Sequence, residues 1–292
     1  MDGTARGVEL WRLLEGSVHR FRAADGSSHA RALAFQVTLT LIPGLIAVVG
    51  LASVLRADEF RYVLESTAQT LAPGPAGRVM AQALHYGIRF GNAGAAGAAL
   101  GFGLAATVAA GTSAMGQVER GANRIYGIGQ DRPTLQKYGR ALGLACSAGL
   151  LGIVAFLLIV VGNAVTQALG VRGLWGLVRW PLSLLLAVAA FALLFKLAPN
   201  RRHAPRRWRA IGSAVTIVLW TLLTGLLAAY LGVSSQFGEV YGPLAGFIGV
   251  LLWALLTALA LYLGIAVAAQ LETTGADPGM RGGHLARGSE QR

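Results

Sequence analysis

Six separate stretches of this chain are apolar for long enough to cross a lipid bilayer, and that constrains its fold more than any other feature. They lie at about 33–55, 93–116, 141–165, 178–198, 210–232 and 243–271. A helix needs about 20 mainly apolar residues to span a hydrocarbon core of roughly 30 Å. Inside that core no water can satisfy the backbone, so each stretch must close its own hydrogen bonds as a helix. We therefore expect an all-α fold: a polytopic membrane bundle of six transmembrane helices with amphipathic surface helices.

The composition agrees. Of 292 residues, 54% are hydrophobic and 13% charged. A disordered chain needs the opposite balance, and a soluble enzyme of this size would lack the polar surface to cover itself. The single cysteine, Cys146, excludes an internal disulfide and a cysteine metal cluster.

The net charge of +12 is distributed unevenly. Between spans, lysine and arginine gather in residues 1–32, 117–140 and 196–209 and in the tail, which together hold 19 of the 25. The opposite side has the other six: Arg56, Arg61, Arg78, Arg89, Arg172 and Arg179. Such a bias on short loops sets orientation, so both termini should be cytoplasmic. The basic loops would also meet anionic lipid headgroups. The run PNRRHAPRRWR at 199–209 has one aromatic, Trp208, and no recognition fold around it, so no specific nucleic acid is expected as a partner.

Residues 1–30 form a cytoplasmic amphipathic segment, in which Val8, Leu10, Trp11, Leu14, Val18 and Phe21 recur at helical spacing. That helix either lies on the membrane surface or packs on the bundle's inner face. The six-helix domain covers 31–272, and 273–292 reads as a flexible cytoplasmic tail. The outer segment 56–92, split by Pro73-Gly74-Pro75, should form two short amphipathic helices. Pro43 should kink the first span.

Signals for chemistry are sparse. His19, His29, His85, His203 and His284 share no metal-binding spacing, and no phosphate-cradling GxxxxGK[ST] occurs. Ser113 sits within a helix, where a hydroxyl usually bonds the preceding turn. No cofactor, metal or catalytic residue is expected. The spans carry essentially no mid-depth charge, so proton coupling through buried carboxylates lacks its usual residues. Asn163, Glu239, Tyr241 and Gly242, near the outer ends of spans, are the candidates for a substrate path. Glycines at 97 and 101, and at 238, 242 and 246, form small stripes. Packing within one bundle is their common use, with a homo-oligomer or a substrate groove the rarer ones. Trp180, Tyr230 and Tyr241 fall near span ends as interface anchors, while Trp220 and Trp253 lie deeper and should pack.

Several short motifs fall in a telling order. Ala30-Arg31-Ala32-Leu33-Ala34-Phe35 precedes Pro43; Asn123-Arg124-Ile125-Tyr126-Gly127 precedes Arg132-Pro133. Pro199-Asn200 with Arg207-Trp208-Arg209 leads into the fifth span, and Tyr241-Gly242 with Leu251-Leu252-Trp253 into the sixth, where Gly264 follows. Over roughly 20–272 the chain resembles the YihY/BrkB family of bacterial inner-membrane proteins, once labelled ribonuclease BN. It departs from that pattern at Ala266 and Ala268, where the family usually has Glu and Asn, at Leu255 in place of Tyr, and at Pro243 in place of Ser. The resemblance implies a multi-pass inner-membrane protein, and some members have been linked to envelope lipid traffic. That link does not decide the activity; six spans, Gly- and Ala-rich helices able to part and the outer amphipathic segment make movement of a lipid or amphiphile the expected function. A non-transporting scaffold that holds a partner through the basic loops is the alternative, and a membrane nuclease is disfavoured.

Overall fold

The computed structural model describes residues 2–55, 93–129, 132–160, 174–200, 206–233 and 244–275. They form seven helices, with no strand among the described residues. Helix α1 is Asp2–Ala23, α2 is Gly26–Leu55 and α3 is Ala93–Ile125. Helix α4 has three consecutive parts: Thr134–Leu144, a π-helical turn at Ala145–Gly149, and Leu150–Val160. Then come α5 (Leu174–Leu197), α6 (Arg206–Val233) and α7 (Leu244–Gly275). Six stretches are long and apolar enough to cross a membrane: Gly26–Leu51, Gly94–Ile125, Thr134–Ala155, Leu177–Leu197, Arg207–Tyr230 and Phe247–Thr274. The all-α, six-span architecture is thus present.

The helices outrun the apolar stretches at their basic ends. α2 begins at Gly26 rather than near 33, and α3 continues to Ile125 rather than stopping near 116. Residues 117–125, read from their charge as loop, are helix. Charge alone does not end a helix, and the first residue that does is Gly127, whose φ of 70° only glycine adopts without strain. Likewise α4 starts at Thr134, directly after Pro133, and the last helix runs three residues into the supposed tail. α2 passes through Pro43 as one helix. The outer segment 56–92 lies outside the described residues.

Close backbone contacts set the pairing. α2 packs most extensively on α3, and α6 on α7. A Cβ at Gly103 would collide with the backbone of Ala47 and reach 2.9 Å from the Pro43 carbonyl; one at Gly50 would come 2.8 Å from Leu100 Cα. Ala96, beside them, is buried. By contrast Gly97 and Gly101, the expected stripe, have open space around them. The glycine spacing was right for a packed helix, but the packed face is the neighbouring one. Gly238 and Gly242 lie outside the described residues. α4 changes partner along its length: Thr134–Leu144 packs on α3, and Leu150–Val160 on α5.

The packed core is markedly one-sided. It contains Ala30 and Leu33 of α2, Ala114 to Ile125 of α3, Leu144 and Ala148 of α4, Ala190 to Ala198 around the end of α5, and Ala258 to Ala269 of α7. These are all the halves nearest the arginine-rich turns. In the other halves the buried residues among those described are few and small: Ala47, Gly50, Ala96, Gly103, Ala155, Ser183 and Ala254. There Phe102, Leu104, Leu150, Leu185, Leu222 and Phe247 are exposed, as side chains meeting lipid would be. Hydroxyls within the spans bond the preceding turn, as Thr38 does to Ala34 O (2.8 Å), Thr112 to Val108 O (2.7 Å) and Ser113 to Ala109 O (3.2 Å).

Candidate functional site

The basic end of the bundle is closed by a polar network that joins residues far apart in sequence. At its centre is Arg132, on the turn between α3 and α4. Its Nη1 donates to Ala198 O (3.0 Å) and its Nη2 to Pro199 O (2.9 Å). These carbonyls end α5, where the last turn of a helix leaves acceptors without partners. The same Nη1 lies 2.9 Å from Glu119 Oε1, with the two side chains only 6% and 1% exposed. Neither Glu119 oxygen makes a well-angled hydrogen bond among the described residues, so charge rather than hydrogen-bond geometry holds this pair.

A second bridge runs beside it. The Asn200 N–H donates to Asn123 Oδ1 at 2.8 Å, and Asn123 is buried. α3 ends one turn later. Gly127 N–H bonds Arg124 O (3.0 Å) and Ile128 N–H bonds Asn123 O (2.8 Å), the paired bonds of a glycine-terminated helix. Asn123, Gly127, Arg132 and Pro133 therefore work as one unit. The helix stops, the chain turns, and an arginine is delivered into the end of α5 while Pro133 opens α4.

On the other flank, Tyr262 of α7 donates to Gln117 O at 2.9 Å, and Gln117 Nε2 is 3.0 Å from His29 Nδ1. His29 meets the Tyr262 ring edge-on at 6.3 Å. Arg120 Nε donates to Gln117 Oε1 (2.8 Å). Gly121 makes room for the Tyr262 ring, which its Cβ would strike. Tyr126 reaches Glu272 (3.5 Å), and Arg20 of α1 bonds Gln270 and Thr273, both at 3.2 Å. The seal joins α1, α2, α3 and α7 to one another and, through the turn that precedes α4, to the end of α5.

α6 is attached differently. A Cβ at Gly264 would overlap Thr216 Oγ1 and approach Gly212 O to 2.7 Å. One at Gly212 would come 2.7 Å from both Ala268 Cβ and Phe195 Cε1. Trp220 Nε1 donates to Thr257 Oγ1 (3.1 Å) and its ring meets Phe191 edge-on, so this deeper tryptophan does pack. Trp253 is half-buried on α7, and the Arg207 guanidinium lies 3.9 Å from the Trp208 ring centroid. Arg124 is exposed. Ala266 and Ala268, the positions of the missing Glu and Asn, are wholly buried.

Of the residues singled out in the sequence, Asn123, Tyr126, Gly127, Arg132 and Pro133 are brought together, with Gly264 a short distance along α7. Asn163, Glu239, Tyr241 and Gly242 lie outside the described residues. Glu119, Gln117, His29, Tyr262 and the Arg20–Gln270 pair were missed. The one local signal was Glu119, an acid followed by Arg120 and Arg124 next to a span. Among the described residues no three His, Cys, Asp or Glu side chains stand close enough to share a metal ion.

A family model described as Virulence factor BrkB matches residues 17–283. The chain belongs to the BrkB family. The match takes in every element of the seal, from Ser17 on α1 to the end of α7. Among curated relatives, the chain is 24% identical over 255 residues to "Putative ribonuclease-like protein YfkH" of Bacillus subtilis strain 168, covering 84% of this chain and 90% of that one. It is 26% identical over 102 residues to "UPF0761 membrane protein IL2447" of Idiomarina loihiensis, covering 35% of this chain and 36% of that one. No solved structure matches. Family membership and the six spans together make this BrkB chain a multi-pass membrane protein.

Proposed function

We propose that the protein moves a lipid or other amphiphile across the bacterial cytoplasmic membrane, through the half of the bundle opposite its basic end. The observation that carries this reading is the one-sided core. Side chains and polar bridges lock the helices together at the arginine-rich end, while among the described residues of the other half only small ones are buried and large apolar ones are exposed. A bundle fastened in this way can part its helices at the other end, with the closely packed α2 and α3 moving as one. The spans offer neutral polar groups along such a route and no run of buried carboxylates, which suits passage of an amphiphile better than proton-coupled transport.

The ribonuclease-like name belongs to the relative, and we do not extend it to this chain. The one buried acid of the seal, Glu119, is committed to Arg132. A non-transporting scaffold is the competing reading, and one experiment separates the two. Purified protein is reconstituted into vesicles carrying phospholipids with a headgroup-reducible fluorophore, and a membrane-impermeant reductant is added. We expect bleaching of both leaflets in protein-containing vesicles and of the outer leaflet alone in empty ones. Bleaching confined to the outer leaflet for every headgroup tried would favour the scaffold.

We further propose that the sealed end faces the cytoplasm, as the arginine bias requires. In a Cys146→Ser background, Gly129→Cys on the exposed α3–α4 turn should resist an impermeant maleimide on intact cells and react once the membrane is permeabilised. Labelling of intact cells would invert the topology.

A further inference from the structure

An open groove of about 510 Å³ runs along α1 where it meets the end of α7, lined by Arg12, Glu15, Gly16, His19, Arg20 and Gln270. Its construction is specific. Gly16 lets α7 approach, since a Cβ there would come 2.7 Å from Gln270 Nε2. Arg20 Nε donates to Gln270 Oε1 (3.2 Å) and its Nη2 to Thr273 Oγ1 (3.2 Å). The amide is thereby oriented with its oxygen on Arg20 and its NH2 beside Gly16, at the groove. Arg12, Glu15 and His19 are exposed and have no hydrogen bond or ion pair among the described residues.

The adjoining strip of α1 is apolar. Trp11, Leu14 and Val18, spaced three and four apart, are exposed, Trp11 to 69%. Ser17 and Phe21, on the next face round, are buried against the bundle. Thus α1 has three sectors: one fixed to the bundle, one apolar and free, and one charged beside the groove. An amphipathic helix at a membrane surface sinks its apolar sector to the headgroup boundary and holds its charged sector level with the phosphates.

We propose that this groove binds a phospholipid headgroup bearing both a phosphate and an ammonium, of the phosphoethanolamine kind. The guanidinium of Arg12 and the amide of Gln270 receive the phosphate, in the geometry arginine provides for such oxygens. The Glu15 carboxylate receives the ammonium and would repel a headgroup that is only anionic. The apolar strip lies where the acyl chains leave the headgroup, which selects a lipid over soluble phosphoethanolamine. The site stands apart from the transport route and does not depend on transport taking place.

The test uses the full chain in detergent, with bound lipid read by native mass spectrometry. The probes are short-chain phosphatidylethanolamine, short-chain phosphatidylglycerol and O-phosphoethanolamine as soluble competitor. We expect the unmodified protein to retain phosphatidylethanolamine over phosphatidylglycerol, and O-phosphoethanolamine to displace it poorly. Arg12→Ala should weaken retention roughly fivefold, the scale of losing one charge-assisted bond at a solvated site. Glu15→Gln should erase the preference between the two lipids. Both positions are exposed, so the fold should survive each change. Equal retention by Arg12→Ala, a preference unchanged in Glu15→Gln, or no preference in the unmodified protein would overturn the assignment. Displacement by O-phosphoethanolamine as effective as by the lipid would replace the lipid with a soluble ligand and overturn it equally.

Discussion

Arg132→Ala should unfasten the basic end of the bundle and cost about 3–5 kcal/mol, the usual penalty for removing one member of a buried ion pair. Three groups lose their partner at once: the buried Glu119 carboxylate, and the Ala198 and Pro199 carbonyls at the end of α5. The penalty comes chiefly from what is left behind. An unpaired carboxylate that water cannot reach is far worse than no carboxylate. Arg132→Lys should recover only part of the loss, because an ammonium cannot reproduce the planar fork that serves two carbonyls and a carboxylate together. Glu119→Leu combined with Arg132→Met should recover more than Arg132→Ala retains, since it removes both charges while keeping the space filled. The measurement is the temperature at which purified protein loses its monodisperse gel-filtration peak in detergent. An Arg132→Ala protein that melts with the parent would show the pair to be a bystander.

Gly264→Val should be at least as damaging, for a steric reason. At Gly264 the backbones of α6 and α7 nearly touch, and a new Cβ meets Thr216 Oγ1 and the Gly212 carbonyl. Thr216 is itself buried and donates to Gly212 O at 3.0 Å, so it cannot swing aside without losing that bond. The carbonyl cannot move at all unless the helices separate. Gly264→Ala should cost about 1–3 kcal/mol as an overpacked contact. Gly264→Val should abolish the folded species, seen as loss of the monodisperse peak at ordinary temperature. Gly225→Ala is the control: nothing lies within 4 Å of its Cβ, and it should leave the protein unchanged. A Gly264→Val protein as well behaved as this control would mean that α6 and α7 do not lie so close.

The architecture was legible because burial in lipid leaves a crude, long-range mark: about twenty apolar residues in a row, with arginines sorted to one side. Where the helices end was less so. Residues 117–125 look like a loop because Glu119, Arg120 and Arg124 are charged, yet two of these are turned to solvent or to Gln117 and one is paired with Arg132. The pairings within the seal could not be read. Its bonds join Arg20 to Gln270, Gln117 to Tyr262, and Arg132 to Ala198, and nothing local in the sequence pairs such residues. Family motifs flagged Asn123, Tyr126, Gly127 and Arg132 without saying what they do. The structure supplies the reason: they end one helix and cap another. The stripe of Gly97 and Gly101 misled in an instructive way, since spacing shows that a face is smooth but not which neighbour, if any, lies against it.

The widened turn at Ala145–Gly149 has a mechanical consequence. A π-helical turn takes more residues per revolution than an α-helical one and loosens the ladder of hydrogen bonds around it. In α4 it falls where the helix leaves α3 and takes up with α5. Before it, α4 is held on α3 beside the sealed end; after it, α4 lies along α5, whose own end is tied into the seal through Ala198 and Pro199. The wider turn thus gives a single helix the slack to serve two neighbours in succession.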